Sequence, residues 1–494
     1  MKKGVFDRLL KAVGLRKIKA EGYRGAETSR LFWDWVTAPC KVDEEVRRDI
    51  AKLRARARDQ ARNNPIAQQY LSLLEDNVIG PNGFKHQSQV RFAGGKLRKQ
   101  INDTIEGYFS AWGHDCTADG RMSFLALQKL LLRNTATDGE QFVKILRNRG
   151  SFGIQLQTLD PDLLDHQLNQ EKTSKHGEIR LGVECDRLGR PLAYWFRESY
   201  DLGASLERIP ASDIIHICRP DRLNQTRGVS WFSPVLVPLK MLDGLYEAIL
   251  ILNRLAASKM GFFVHKDAGS FDRTAYDAMS PVEAEPGSTI ALPPGIEFQS
   301  WDTGNPSAEL NAFSKLILRH IASGLKVSYV ALSNDLEGVN YSSIRAGLLV
   351  ERDQFRTLQQ WWIDTFLRPV YVEWLKSASL SESWVILGRD WRMYQSVHFV
   401  PRGWPWVDPL KDIQATLLAI NNNLGSRTDA LAEGGKDIEE VFEKIAAERG
   451  LAAEFGIDLT IDDTKPQPDA EDDEEEPVVM AGGQSIVYNM TRKP

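Results

Sequence analysis

Cysteine is scarce: Cys40, Cys116, Cys185 and Cys218 are the only four in a chain of 494 residues, and none forms a C-x-x-C pair. That excludes a disulfide scaffold and reads as reduced, mostly buried thiols of a cytosolic protein. Long apolar runs are missing too. The densest is Ala248-Ile249-Leu250-Ile251-Leu252, far short of the roughly 18 residues a membrane-spanning helix needs, so no membrane partner is expected. Lys2 and Lys3 open the chain, but Asp7, Arg8 and Lys11 break the short apolar stretches that follow, so no secretory leader is expected.

Sequence signatures of catalysis are also absent. No G-x-x-x-x-G-K-[ST] loop occurs; Gly94-Gly95-Lys96-Leu97 lacks both the spacing and the hydroxyl that would hold Mg²⁺. There is no G-x-S-x-G elbow and no H-E-x-x-H, and the eight histidines (86, 114, 166, 176, 216, 265, 320, 398) are scattered. His216 and Cys218 stand two apart on a predicted strand and so share a face. Two satisfied core side chains are the favoured reading over a metal pair. The acid pairs Asp160/Asp162 and Asp462/Asp463 read as caps or solvated surface rather than a general acid and base. No active site, metal or cofactor is expected, so the chain does not read as an enzyme.

What is present is an ordinary globular composition, 42% hydrophobic and 26% charged, long enough for about three structural units. The net charge of −5 hides an asymmetry. Residues 1–62 hold 17 Lys/Arg against 9 Asp/Glu, a surplus of +8, while residues 462–476 hold one Lys against nine acids, −8. Opposite ends of opposite sign point to different partners or environments.

Residues 1–42 mix basic residues, glycines and the aromatics Phe32, Trp33 and Trp35, as a free arm or one packed on a neighbouring subunit. A helix is predicted over 43–62, capped by Asp43, with Val46, Ile50 and Leu53 on one face and arginines over the rest, read as a solvated or inter-subunit surface in preference to a nucleic-acid contact. Asn63-Asn64-Pro65 stops it and Pro65 starts the next, which runs to Gly80-Pro81-Asn82-Gly83. Further helices are predicted near 98–112 and 123–136. Strands follow at 142–146 and 154–157, a hairpin of 179–186 with 192–196 and a strand at 214–218, so the middle is α+β. Helices at 234–260 and 306–325 flank a turn-rich excursion at 261–305; residues 326–340 read as a loop. The strongest helical pattern spans 341–376, with Ile344, Leu348, Phe355, Leu358, Trp362, Phe366, Val370 and Trp374 on its stripe and a kink or break expected at Pro369. Residues 408–455 read as helical and 462–494 as disordered.

Four segments together resemble the lambda-like portal proteins of tailed bacteriophages. They are Leu53-Arg54-Ala55-Arg56-Ala57-Arg58-Asp59 with Arg62-Asn63-Asn64-Pro65 and Asn77-Val78-Ile79-Gly80; Gly182-Val183-Glu184-Cys185-Asp186 with Gly189-Arg190-Pro191-Leu192-Ala193-Tyr194-Trp195; Ile209–His216 with Arg219-Pro220-Asp221-Arg222 and Gln225-Thr226-Arg227-Gly228-Val229-Ser230-Trp231; and Asn340-Tyr341-Ser342-Ser343-Ile344-Arg345-Ala346. The resemblance spans about residues 30–450. It implies a helix-rich α+β portal fold assembled as a ring, usually of twelve subunits, at one capsid vertex of the virion, built in the host cytoplasm. Double-stranded DNA passes non-specifically through its channel, driven in by a separate terminase and later released through the tail. Implied partners are the chain itself, the terminase large subunit, a head–tail adaptor and the major capsid or scaffold protein.

On that template residues 1–42 are an arm, 43–233 the wing, 234–260 and 306–325 the stem helices, and 261–305 the clip, whose Lys266, Asp267 and Arg273 are candidates for terminase docking. Residues 326–340 are the tunnel loop, with Lys326, Asn334, Asp335, Glu337 and Asn340 as candidate DNA-facing residues. Residues 341–407 are the spine helix and wing return, 408–460 a C-terminal wing or crown, and 461–494 an acidic tail. A conduit must not grip its cargo, since each firm phosphate contact adds salt-dependent affinity. Stem, clip and loop (234–340) carry eight Lys/Arg against twelve Asp/Glu, 8 − 12 = −4 per chain, repulsive to DNA over a ring. Plainer readings stand beside these: Lys326 as a surface lysine, Asn334 and Asp335 as a turn, Trp361, Trp362 and Trp374 as core. Two rival functions are another minor capsid or head–tail connector protein, disfavoured by the order helix–clip–helix–loop–long helix, and a nucleic-acid-processing enzyme, which would need converging acidic ligands.

Overall fold

The computed structural model describes residues 39–91, 97–174, 176–201, 203–257, 261–265, 296–300, 307–337, 341–380, 391–404, 409–434 and 438–457. The sequence prediction of a helix-rich α+β chain holds. Helix α1 (Val42–Asn63) is followed by α2 (Pro65–Leu74), α3 (Lys99–Trp112) and α4 (Phe124–Asp138). Strands β2 (Glu140–Arg147), β3 (Ile154–Leu159) and β8 (Ile214–Cys218) form an antiparallel sheet ordered β3-β2-β8. A four-stranded meander joins β4 (Glu178–Arg180), β5 (Val183–Cys185), β6 (Pro191–Arg197) and β7 (Leu206–Pro210) in chain order. Strand β1 (Lys85–Ser88) pairs across the chain with β11 (Val397–Val400), and β9 (Gly261–His265) with β10 (Ile296–Ser300).

The alternation in β2 serves two cores at once. Val143 and Ile145 face the large core shared with α2, α3, α4 and the spine, while Phe142 points the other way into a smaller core with Tyr194, Phe196 and Ile209 of the meander. The predicted strand 179–186 is in fact two: Leu181 (φ 52°) and Gly182 (φ 83°) turn the chain between β4 and β5. Asn64 begins α2 as expected, its side chain accepting from the amides of Ile66 (2.9 Å) and Ala67 (3.2 Å). Asp43 does not cap α1. Lys41 holds that position without a side-chain bond, and the Asp43 carboxylate accepts from the Thr226 amide and hydroxyl at 2.9 and 2.7 Å.

The spine runs as α8 (Tyr341–Trp362), a π-helical turn (Ile363–Leu367) and α9 (Arg368–Leu380). Pro369 has no N–H to give the carbonyl four residues back, which is Thr365 inside that turn; the wider turn absorbs the defect in place of a break. Phe355, Leu358, Trp362, Phe366, Val370 and Trp374 are all buried, as the stripe predicted, and Trp362 and Trp374 are core rather than surface anchors. Trp361 is half-buried, its ring edge-on to Trp231 at 5.8 Å.

The arginines of α1 divide into two groups. Arg54 and Arg58 are not solvated surface: they belong to a charged cluster centred on Glu140, the first residue of β2. Its fully buried carboxylate accepts from Arg54 Nη2 (3.0 Å), Arg227 Nε (2.7 Å) and the Gly228 amide (2.9 Å), and His216 Nε2 lies 3.0 Å away. Arg227 spends its other donors on the carbonyls of Pro161, Leu164 and Leu181. Arg54 continues to Asp162, and Arg58 to Asp138, Asp160 and Asp162. Counting His216 as imidazolium, four cations (Arg54, Arg58, Arg227, His216) meet four carboxylates (Glu140, Asp138, Asp160, Asp162). Asp160 also caps the turn after β3, as its sequence suggested, and His216 stacks on Phe142 at 4.4 Å as a satisfied core side chain. Gly139 and Gly228 let the two backbones cross here. A Cβ on Gly228 would overlap the Gly139 carbonyl, and one on Gly139 the backbone of Val229 and Ser230.

Burial would raise the Glu140 pKa, but Arg227, His216 and Arg54 outweigh it and hold the carboxyl well below its usual range. Burial would likewise lower His216, yet Cys218 and Glu140 push it up to about 9. His86 is the opposite case. Packed against Phe109, Tyr371 and Phe399 with neither ring nitrogen hydrogen-bonded among the described residues, it is driven by burial down to about 3.

Two predictions follow from these geometries. Glu140→Gln strips the cluster of its central charge and should cost about 3–5 kcal/mol in denaturant unfolding; a loss under about 1 kcal/mol would show the cluster to be dispensable. His86, with a folded pKa below its unfolded 6.5, makes stability rise with pH from 3 to 6.5. His216, with a folded pKa above 6.5, makes it fall with pH from 6.5 to 9. Unfolding measured across pH should therefore peak near 6.5 and drop by about 2 kcal/mol by pH 5. His86→Phe should flatten the acid side and His216→Gln the alkaline side; a flat wild-type profile would contradict both assignments.

Candidate functional site

Two helices leave the core together. Helix α5 (Leu236–Ala257) buries Leu236, Leu239 and Leu242 at its start, and none of its residues described from Asp243 onward is buried. Helix α6 (Ser307–Leu325) mirrors it, with Leu318, Ile321, Ala322 and Leu325 buried at its end. The antiparallel pair β9–β10 lies between them in the chain. Asn64 Nδ2 donates to Asp243 Oδ1 at 3.0 Å, fastening the root of α5 to the first turn of α2. Both helices carry apolar side chains left exposed among the described residues: Val237 and Met241 near the root of α5, Leu250, Ile251 and Leu252 further out, and Phe313 and Leu316 on α6.

The segment after α6 is not a plain loop. Lys326 takes the left-handed conformation (φ 59°), its amide donating to Ser323 O and that of Val327 to Ala322 O, a paired closure of the helix end that ordinarily falls to glycine. Ser328 then caps a short helix α7 (Tyr329–Ser333), its hydroxyl accepting from the Ala331 amide at 3.1 Å. The same hydroxyl and the Ser328 amide donate to the buried Glu351 carboxylate of α8 at 3.3 and 3.0 Å. Gln69 Nε2 of α2 donates to the Ala331 carbonyl at 3.1 Å. The segment is thus a folded knob clamped between α2 and α8.

Asn334 ends α7 in the left-handed conformation (φ 54°), as its turn reading suggested. Asp335 accepts from the Tyr329 hydroxyl (2.6 Å), the Glu337 amide (3.0 Å) and the Lys315 ammonium (3.1 Å), which together hold its carboxyl down to about 2. Lys315 also pairs with Glu337 at 2.6 Å. Of the expected residues, Asp335 and Glu337 therefore meet on one lysine of α6, and Lys326 is exposed at the helix end. Asn340, Lys266, Asp267 and Arg273 lie outside the described residues. Sequence reasoning passed over Glu351 and Lys315, whose partners are 23 and 20 residues away and leave no local signal. The Ser328 cap, by contrast, has a local signal: a serine directly ahead of the apolar run Tyr329-Val330-Ala331-Leu332. No group of three or more His, Cys, Asp or Glu side chains that could hold a metal occurs among the described residues.

Residues 28–359 match the family model "Phage portal protein, lambda family". The chain belongs to that family. It is 34% identical over 480 residues to the probable portal protein of Halomonas phage phiHAP-1, covering 92% of each. It is 22% identical to portal protein B of Escherichia phage lambda, covering 90% of this chain and 92% of that one. Among solved structures, a chain from the virion of a native gene transfer agent particle is a distant likeness, with TM-score 0.43 and 14% identity over 78% of this chain and 93% of that one. The portal family is a structural class, in keeping with a site made of caps and ion pairs.

Lys326 offers a clean perturbation, because its side chain and its backbone conformation separate. Lys326→Gly removes the charge and relieves left-handed strain worth about 1 kcal/mol, so the melting temperature should hold or rise. Lys326→Ala keeps the strain and should show no gain. A lower melting temperature for the glycine variant would contradict the geometry of this helix end.

Proposed function

We propose that copies of this portal chain close into a ring, usually of twelve, whose central channel passes double-stranded DNA into the capsid under a separate terminase motor and out again through the tail. The observation that carries this reading is the apolar stripe left uncovered on the two projecting helices, which a second copy of the same pair can bury. In the proposed layout residues 43–233 are the wing, 234–260 and 306–325 the stem, and 261–305 the clip, offering Lys266, Asp267 and Arg273 to the terminase and later to a head–tail adaptor. Residues 326–340 form the tunnel loop, 341–407 the spine and wing return, and 408–460 the crown side toward the capsid interior. The ring sits at a capsid vertex in contact with capsid or scaffold protein, is assembled in the host cytoplasm, and hydrolyses no nucleotide itself.

The charge pattern supports a conduit over a gripping surface. Residues 234–340 carry 8 − 12 = −4 per chain, and Lys315 is already neutralised by Asp335 and Glu337. Native mass spectrometry should find a closed oligomer far above dimer, and the double variant Met241→Glu with Leu250→Glu, at exposed stem positions, should give monomers with unchanged helical content. Monomers or dimers from the wild-type chain under all conditions would overturn the reading.

A further inference from the structure

The outward half of α1 is a cationic strip. Arg47, Lys52, Arg56 and Arg62 are exposed and have no carboxylate partner among the described residues, in contrast to Arg54 and Arg58 on the inward side. Arg48 adds a fifth cation and only Asp49 and Asp59 oppose them on this surface, so from 47 to 62 it carries 5 − 2 = +3. Asp59 is already engaged by Asn63 at 2.8 Å. Fifteen residues of helix give the strip a length of about 22 Å. Its sequence continues N-terminally into residues 1–38, with nine Lys/Arg against four Asp/Glu.

The same chain holds the complementary charge. Residues 462–476 carry nine acids and one lysine, −8, and only four residues separate them from the last described residue, Ile457. Fifteen extended residues reach up to about 50 Å, more than twice the strip.

We infer that the acidic segment 462–476 lies along the outward face of α1, with its carboxylates against Arg47, Lys52, Arg56 and Arg62. Tethering to the same chain raises the segment's effective concentration at any site its linker can span, so many weak exposed pairs can together keep it seated. Its effect is to cover a phosphate-attracting strip on a protein that must let DNA go. Duplex DNA is the competing occupant, and the tail is favoured because its charge is built into the chain.

The test uses a fluorescent peptide of residues 462–476 with two forms of the protein, the full chain and one ending at Ile457. The peptide should bind the shortened chain saturably and the full chain at least several-fold more weakly, and raising salt from 50 to 300 mM should weaken binding roughly tenfold. In the shortened chain, Arg47→Gln, Lys52→Gln, Arg56→Gln and Arg62→Gln together should abolish peptide binding with circular dichroism and melting unchanged. If the shortened chain fails to fold, the full chain with its nine tail acids changed to Asn or Gln replaces it. Non-specific duplex DNA retention at 50 mM salt should be higher for the shortened or neutralised chain than for the full one. No peptide binding, equal binding to the four-Gln variant, or equal DNA retention with and without the tail would each overturn the inference. None of these outcomes depends on whether rings form.

Discussion

A carboxylate taken fully out of water is costly unless it is paired and hydrogen-bonded, and Glu140 meets that demand by drawing three other parts of the chain to one point. Arg54 comes from α1, His216 from β8, and Arg227 and Gly228 from the segment that leads into α5. Because Arg227 also holds the carbonyls of Pro161, Leu164 and Leu181, the cluster pins the loop between β3 and β4 and the turn between β4 and β5 as well. The two cores, one on each face of β2, are held in register by it, and the chain leaves it a few residues later as the projecting helix α5. The root of that projection thus rests on a charge-balanced knot whose central carboxylate, Glu140, lies nearly 100 residues upstream in sequence.

Downstream of the projection the physical theme is restraint without stickiness. The knob after α6 is fixed by a buried acceptor, Glu351, and by one lysine shared between two acids, so Asp335 and Glu337 are spent on holding its own shape and Lys326 is left exposed. A surface built this way offers DNA little firm attraction, which suits a channel that steers cargo without binding it. The basic strip on α1 is the exception, and the acidic segment of the same chain carries the charge that would cover it.

Much of this was legible in the sequence where a signal is local or periodic. The Asn64-Pro65 helix start, the spine stripe ending at Trp374 and the strand at 214–218 all follow from spacing and cap chemistry. What escaped was long-range. Nothing local tells that Arg54 is buried and Lys52 is not, since the difference lies in Glu140 some 86 residues away. Asp43 looked like a cap because capping chemistry is local, but Thr226 claims it across the fold. The 326–340 segment looked like a loop because a helix of five residues is too short to show a period, and its clamp, Glu351, lies on another helix. The split at Leu181 escaped for a different reason: a non-glycine residue at positive φ carries no compositional mark.

The central claim is that copies of this chain surround an opening and that the opening is the working part. Electron-microscopy class averages of the assembled chain viewed down its symmetry axis test it most directly. The account predicts a closed ring with a central hole wide enough for a DNA duplex, lined by α5, α6 and the knob that follows. A compact particle with no such hole, or an open chain of subunits that never closes, would contradict it.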